Sequence, residues 1–196
     1  MSSQPVINMK QTIEQIFADS ITVKQETLKN NLPQIIKASE AIIASLKAGH
    51  KLFFCGNGGS AADSQHIAAE FIGRFQKERR AWPAIALTTD TSALTALGND
   101  YTFDIVFSRQ LQALGQKGDV LVAISTSGNS KNVLEAVKYA KSQGIVTIGV
   151  TGGKGGQLAS LSDIAIVAAS PITARIQESH LVIFHSICEV VENTLV

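Results

Sequence analysis

His66 and Glu70 lie four residues apart, so a helix places both on one face, one turn from each other. An imidazole and a carboxylate in that relation can share a metal ion or pass a proton. The pair does not fit the H-E-x-x-H pattern of metalloproteases. Alone, such a pair is more often a surface pair or a capping contact. Further along, Gln177, Glu178, His180 and His185 share a second predicted helix. Gln177 and His185 are separated by roughly 80° around its axis, which a long Gln side chain makes up. His180 and His185 are roughly 140° apart and do not easily share a ligand. His185 sits amid apolar residues, where a lone histidine is usually packing. It joins a site only if His66 and Glu70 face it. His50 follows Gly49 at a predicted helix end and is read as its cap.

Two glycine- and hydroxyl-rich segments carry a different chemistry. The first is Cys55-Gly56-Asn57-Gly58-Gly59-Ser60-Ala61; the second is Ser125-Thr126-Ser127-Gly128-Asn129-Ser130. Glycine lets the backbone approach a ligand, and free N–H groups at a helix start favour an anion. With hydroxyls added, they make a phosphate cradle that needs no lysine. The bland alternative is that the Ser and Asn residues only cap helices and the glycines only turn. Two such loops after successive strands favour the cradle. Residues 56–61 also fit G-x-G-x-x-A, but the acidic residue expected about 20 positions on is missing. Thr151-Gly152-Gly153-Lys154-Gly155-Gly156 fails as a P-loop because no Ser or Thr follows the lysine.

The elements that must carry these residues are legible from periodicity. Residues 9–48 read as helices, with Ile13, Ile16, Phe17, Leu32, Ile35, Ile36, Ile42, Ile43 and Leu46 at helical spacing. Five short apolar runs follow, at 52–55, 84–87, 120–125, 147–150 and 164–167, separated by helical stretches. Such alternation predicts an α/β fold, a doubly wound five-stranded parallel sheet covered on both faces. Both loops then leave the carboxyl ends of strands, where such sheets bind ligands. A last helix is predicted over 173–194. Its stripe of Phe184, Ile187, Cys188, Val191 and Leu195 is widened by Leu181, Val182, Ile183 and Val190. That surplus, matched at the N-terminal helices, predicts a homo-oligomer with a helical interface.

The chain's 196 residues suit one domain, and 45% hydrophobic with 17% charged residues is ordinary for a globular protein. A formal net charge of +1 gives no field for nucleic acid or an anionic membrane. The basic run Lys77-Glu78-Arg79-Arg80 reads as a solvated loop or helix end. Cys55 and Cys188 are read as buried free thiols. The polar start at Ser2, Ser3 and Gln4 and the lack of a membrane-length apolar run predict a cytoplasmic protein.

Taken in order, these motifs resemble the SIS (sugar isomerase) domain family, and within it the bacterial phosphoheptose isomerases. The resemblance spans nearly the whole chain. It rests on Cys55-Gly56-Asn57-Gly58-Gly59-Ser60, His66-Ile67-Ala68-Ala69-Glu70, Gly73-Arg74-Phe75 and Gly98-Asn99-Asp100. It continues with residues 125–130, Arg175-Ile176-Gln177-Glu178 and His185. It implies a SIS domain of flavodoxin-like topology over 51–196, with 1–50 as a helical segment of the same domain and of the oligomer interface. The implied reaction converts sedoheptulose 7-phosphate into D-glycero-D-manno-heptose 7-phosphate through an enediol, the first step toward the heptose of the lipopolysaccharide core. The resemblance also implies a homotetramer and one zinc ion per subunit, held by His66, Glu70, Gln177 and His185. Substrate contacts are implied for Asn57, Gly58, Gly59, Glu70, Asn99, Asp100, Ser125, Thr126, Ser127, Ser130 and Gln177. Glu70 and His185 are then the candidates for proton transfer, and which of them is the carbon base stays open. A non-catalytic relative binds the bacterial initiator of replication and carries non-ligand residues at the positions of Glu70 and His185. That role, or a sugar-phosphate sensor, is the alternative. Ala174 departs from relatives that have Asp there, which bears on sugar preference.

Overall fold

The computed structural model describes residues 8–196; the polar residues 2–4 lie outside them. Helix α1 spans Met9–Lys47 as one unbroken rod of 39 residues, where sequence periodicity indicated several helices. Asn8 caps its start by accepting from the Gln11 amide. Pro33 lies inside the rod and cannot bond the carbonyl one turn back. Contacts in the two turns before it tie this stretch of the rod to the sheet. Asn31 exchanges two 2.9 Å hydrogen bonds with Val167, and Thr27 accepts from the Ala169 amide at 3.0 Å. Val167 belongs to β5 (Ile164–Ala168), an edge strand. Asn31 therefore satisfies its open edge as a neighbouring strand would.

The remaining strands are β1 (Leu52–Cys55), β2 (Ala84–Ala86), β3 (Val120–Ser125) and β4 (Val146–Gly152). They form one five-stranded parallel sheet in the order β2-β1-β3-β4-β5. This is the flavodoxin-like order, with its switch point between β1 and β3. β4 is longer than its apolar run because Val146 and Gly152 also enter the ladder.

Side chains alternate across the sheet, so each strand feeds two cores. Leu52, Phe54, Val120, Val122 and Ile124 pack under α1, α2 (Gly59–Ile72) and α7 (Thr173–Leu195). Phe53, Cys55, Leu121 and Ala123 pack under α4 (Val106–Leu114), α5 (Lys131–Ser142) and α6 (Gly156–Leu161). Cys55 and Cys188 are buried free thiols, each pushed up to about 12 chiefly by burial. α1 and α7 lie side by side. Along them Ile13, Phe17, Ile21, Leu28, Leu32, Ile36, Val182 and Val190 remain exposed. Among the described residues no helix is long and apolar enough to cross a membrane.

Candidate active site

The two loops meet at the switch point. β1 delivers the first into α2, on one face of the sheet; β3 delivers the second into α5, on the other. Asn57 and Asn132 tie them together by exchanging two 2.9 Å hydrogen bonds between their carboxamides. Gly58 turns the chain into α2 at φ +56°, a conformation that favours glycine. Helices α1 and α3 (Thr91–Asp100) are capped by the side chains of Asn8 and Asp90. α2 and α5, like α4, α6 and α7, have no hydrogen bond from the side chain of the cap residue. Ser130 stands at the cap position of α5, but its hydroxyl pairs with Ser125 Oγ at 3.0 Å instead. Ser127 Oγ lies 3.4 Å from Ser125 Oγ and accepts from the Asn129 amide. The crevice thus offers two uncapped helix starts and a cluster of hydroxyls, with Thr126 half-buried beside them. The Ser60 and Ala61 amides are taken by the Asn57 and Gly58 carbonyls and the Val133 amide by Asn132 Oδ1. The Gly59, Lys131 and Asn132 amides, unpartnered among the described residues at two positive helix ends, are therefore the donors that could receive an anion.

The second feature lies along the seam of α2 and α7. His66 Nε2 and His185 Nε2 are 2.9 Å apart, their rings at 65°. Glu70 Oε1 is 3.8 Å from His66 Nε2. The Phe75 ring packs against His185 with centroids 5.5 Å apart. His185, set among apolar residues, therefore does face His66 and Glu70. At 2.9 Å one imidazole donates its N–H to the lone pair of the other, so the rings cannot both be protonated on Nε2. The carboxylate of Glu70 accepts no hydrogen bond from the described residues and is three-quarters buried, at 23% exposure.

The donor set suits zinc, which takes imidazole nitrogens at about 2.0–2.1 Å and carboxylate oxygens at similar distances. The two Nε2 atoms would need to part by only a few tenths of an ångström to sit at tetrahedral spacing. As they stand, no group of three His, Cys, Asp or Glu among the described residues has metal-cage spacing. Gln177 is placed differently. Its carboxamide lies against Gly59, at the start of α2, so closely that any side chain there would strike it. Seven residues of α2 separate Gly59 from His66, about 10 Å of rise. The chain brings Gln177 to the first loop and not into contact with the histidine pair.

A family model described as the SIS domain matches residues 16–152. A phosphoheptose isomerase of Roseiflexus is 50% identical over 183 residues, 93% of this chain and 92% of that relative. The chain belongs to the phosphoheptose isomerase family of SIS-domain proteins. The solved phosphoheptose isomerase GmhA of Neisseria gonorrhoeae superposes with a TM-score of 0.90 at 46% identity, over 95% of this chain and all of that one. That of Francisella tularensis gives 0.91 at 38% identity, again over 95% and 100%.

Within this phosphoheptose isomerase fold, Asn99 and Asp100 end α3, a helix with no fully buried residue. They bond to each other at 2.9 Å and, among the described residues, to neither loop. Ala174 is exposed in the first turn of α7. His180 is fully buried, and its Nε2–H donates to the Thr151 carbonyl at 3.0 Å. Burial lowers its pKa, so it stays neutral and structural. His50 closes the end of α1 through its backbone N–H, which donates to the Ser45 carbonyl, while its ring turns toward Asp119.

One residue of the seam escaped sequence reasoning. Asp63 follows Gly59 by four positions and precedes His66 by three, on the same face of α2. Its Oδ2 is buried with no partner among the described residues. Burial pushes the carboxyl up, against the pull of His66. The i, i+3, i+7 spacing of Asp63, His66 and Glu70 was the signal available.

Proposed function

We propose that this protein interconverts sedoheptulose 7-phosphate and D-glycero-D-manno-heptose 7-phosphate as an aldose–ketose isomerase. The observation that carries the reading is the seam of His66, Glu70 and His185 beside two uncapped helix starts. Relatives named phosphoheptose isomerase at about half identity over nearly the full length support it.

The phosphate binds at the hydroxyls of Ser125, Thr126, Ser127 and Ser130 and the backbone of Asn57, Gly58 and Gly59. That remote anchoring fixes the reacting carbons, which makes proton transfer effectively intramolecular. Glu70, unencumbered by hydrogen bonds, takes the C1 proton of the ketose and returns it to C2. The electron pair left by the C1 proton forms the C1–C2 double bond of the enediolate, and the carbonyl oxygen at C2 gains a proton. The His66–His185 pair holds and passes that proton between the oxygens on C1 and C2, since one ring is a donor while the other is an acceptor. The same side chains, His66, Glu70 and His185, with Gln177 turned from Gly59 toward them as a further donor, could instead hold a zinc ion, which would supply Lewis-acid polarisation of both oxygens in place of the imidazole relay. Asn99 and Asp100 contact the sugar in the assembled enzyme.

The exposed stripe along α1 and α7 supports association, because a monomer would leave a large apolar patch in water; the family resemblance makes the assembly a homotetramer. The reading places the enzyme in the cytoplasm, at the entry to heptose synthesis for the lipopolysaccharide core. Incubating the purified protein with sedoheptulose 7-phosphate and following the aldose by NMR tests it. Tight binding without turnover would instead favour a sensor; neither binding nor turnover would overturn the assignment.

A further inference from the structure

The segment after α2 is organised by one buried ion pair that the reaction as described does not use. Glu192 and Arg79 have side chains only 2% and 3% exposed, and Arg79 Nε donates to Glu192 Oε1 at 3.0 Å. The same carboxylate accepts the backbone amides of Phe75, Gln76 and Lys77 at 3.0, 2.7 and 2.8 Å. The guanidinium reaches the other way. Nη2 donates to the Glu70 carbonyl at 2.7 Å, and Nη1 to the carbonyls of Phe71, Gly73 and Arg80 at 2.9–3.1 Å. It also lies 3.7 Å over the Trp82 ring.

These contacts converge on the seam. The last carbonyls of a helix lack partners and form its negative end, so a cation there is favoured. α2 has no basic residue in its last turn, and Arg79 supplies the charge from outside. Glu70 stands in that last turn. Glu192 lies seven residues beyond His185 on α7 and so on the same face. Phe75, whose amide Glu192 holds, packs its ring on His185. A buried ion pair adds little net stability over an apolar pair of similar size. Its value here is geometric.

We propose that Arg79 and Glu192 are positioning residues: together they lock the end of α2 carrying Glu70 against α7 carrying His185. The inference rests on the proposed roles of Glu70 and His185 in proton transfer. A shift of ~1 Å between reacting groups can lower turnover by about 10²-fold while leaving the remote phosphate anchor untouched. The signature is therefore a loss in kcat at constant KM.

The test uses the full chain, with turnover measured on folded material of wild-type hydrodynamic size. Replacing both partners, Arg79→Met with Glu192→Met, leaves no unpaired buried charge. The expected result is kcat lower by about 10- to 100-fold with KM within about threefold. Arg79→Lys keeps the charge but loses the fork that reaches four carbonyls, and kcat should fall less, again at constant KM. Wild-type kcat in either folded variant would overturn the positioning role. So would failure of both variants to fold, which would make the pair a stability device. Wild-type and Glu70→Gln controls separate this from the underlying reading. If the wild type does not turn over the sugar, or Glu70→Gln does so normally, the reading itself fails.

Discussion

Asn57→Ala removes the carboxamide that joins the two loops. It deletes two 2.9 Å hydrogen bonds to Asn132, a residue only 3% exposed. Each neutral hydrogen bond has a net worth of about 1 kcal/mol, and a buried partner left unsatisfied costs about 1–3 kcal/mol. Asn132 Oδ1 keeps one bond, from the Val133 amide at 2.9 Å, so the penalty falls at the lower end. The expected loss is about 2–3 kcal/mol. For a chain of this size each kcal/mol moves Tm by about 2–4 °C, so Tm should fall by about 4–12 °C. Thermal unfolding at one fixed protein concentration measures this, since association itself raises Tm. Asn57→Asp is the companion variant. It keeps the shape and the bond from Asn132 Nδ2, loses the bond to Asn132 Oδ1, which then faces a carboxylate oxygen, and adds a negative charge that two helix starts tolerate. That charge competes with a bound phosphate. At ~5 Å and an effective dielectric of ~20–80, one unit charge repels another by about 1–3 kcal/mol, raising KM by about 5- to 150-fold. An unchanged Tm in Asn57→Ala would refute the clamp. A wild-type KM in Asn57→Asp would refute the anion site.

Ser127→Ala should raise KM with the fold intact, as steady-state kinetics and circular dichroism will show; unchanged KM counts against the hydroxyl cradle. Glu70→Gln should lower kcat by about 10²–10⁴-fold, and His185→Gln similarly. Metal content measured on the same samples distinguishes lost proton transfer from lost metal, and near-wild-type rates in both folded variants would dismiss the site. Burial alone would raise the Glu192 carboxyl, but the amides of Lys77, Gln76 and Phe75 and the Arg79 guanidinium hold it below its ordinary 4.5. A carboxylate held low contributes stability that is full above its unfolded value and is lost as pH falls through the folded one. The wild type should therefore lose Tm more steeply below about pH 4.5 than Glu192→Gln does; parallel acid limbs would refute this. Light scattering should find a multimer, four chains on the family reading, and a stable monomer at micromolar concentration would refute the interface drawn from α1 and α7.

The sheet was legible because both its faces are covered. Strands such as Leu52–Cys55 and Val120–Ser125 are apolar at every position or nearly so, and glycine-rich loops mark where they end. α1 was harder to read. Pro33 argues for a break, and only the tertiary bonds from Asn31 to the edge of β5 show why the rod continues. Spacing on one helix placed His66 beside Glu70. That His185 faces them depends on how α7 lies along α2, a long-range relation that periodicity does not encode. The same holds for Gln177, whose angle on α7 is compatible with His185 but whose side chain lies against Gly59. Arg79 and Glu192 were hidden for another reason. A basic run with a Glu in it reads as solvated surface, and only the fold buries Arg79 over Trp82.

One helix joins the two halves of the proposed site. The 14-residue α2 begins at the first glycine loop, where the proposal puts the phosphate, and ends just beyond Glu70. From Gly59 to His66 the axis rises about 10 Å, and helical side chains lean back toward the N-terminus, which shortens the working distance. A phosphate on one end of an extended seven-carbon chain stands about that far from the carbons at the other end. In the proposed mechanism the anchor and the proton-transfer groups would thus be set apart by the helix itself, whose last turn Arg79 bonds at the Glu70 carbonyl. Loop hydroxyls and backbone amides can hold the phosphate without knowing where the chemistry occurs. On the proposed reading the length of α2 would set which carbons of the sugar reach Glu70 and His185, so chain length would be a property read by a helix and not by any single contact.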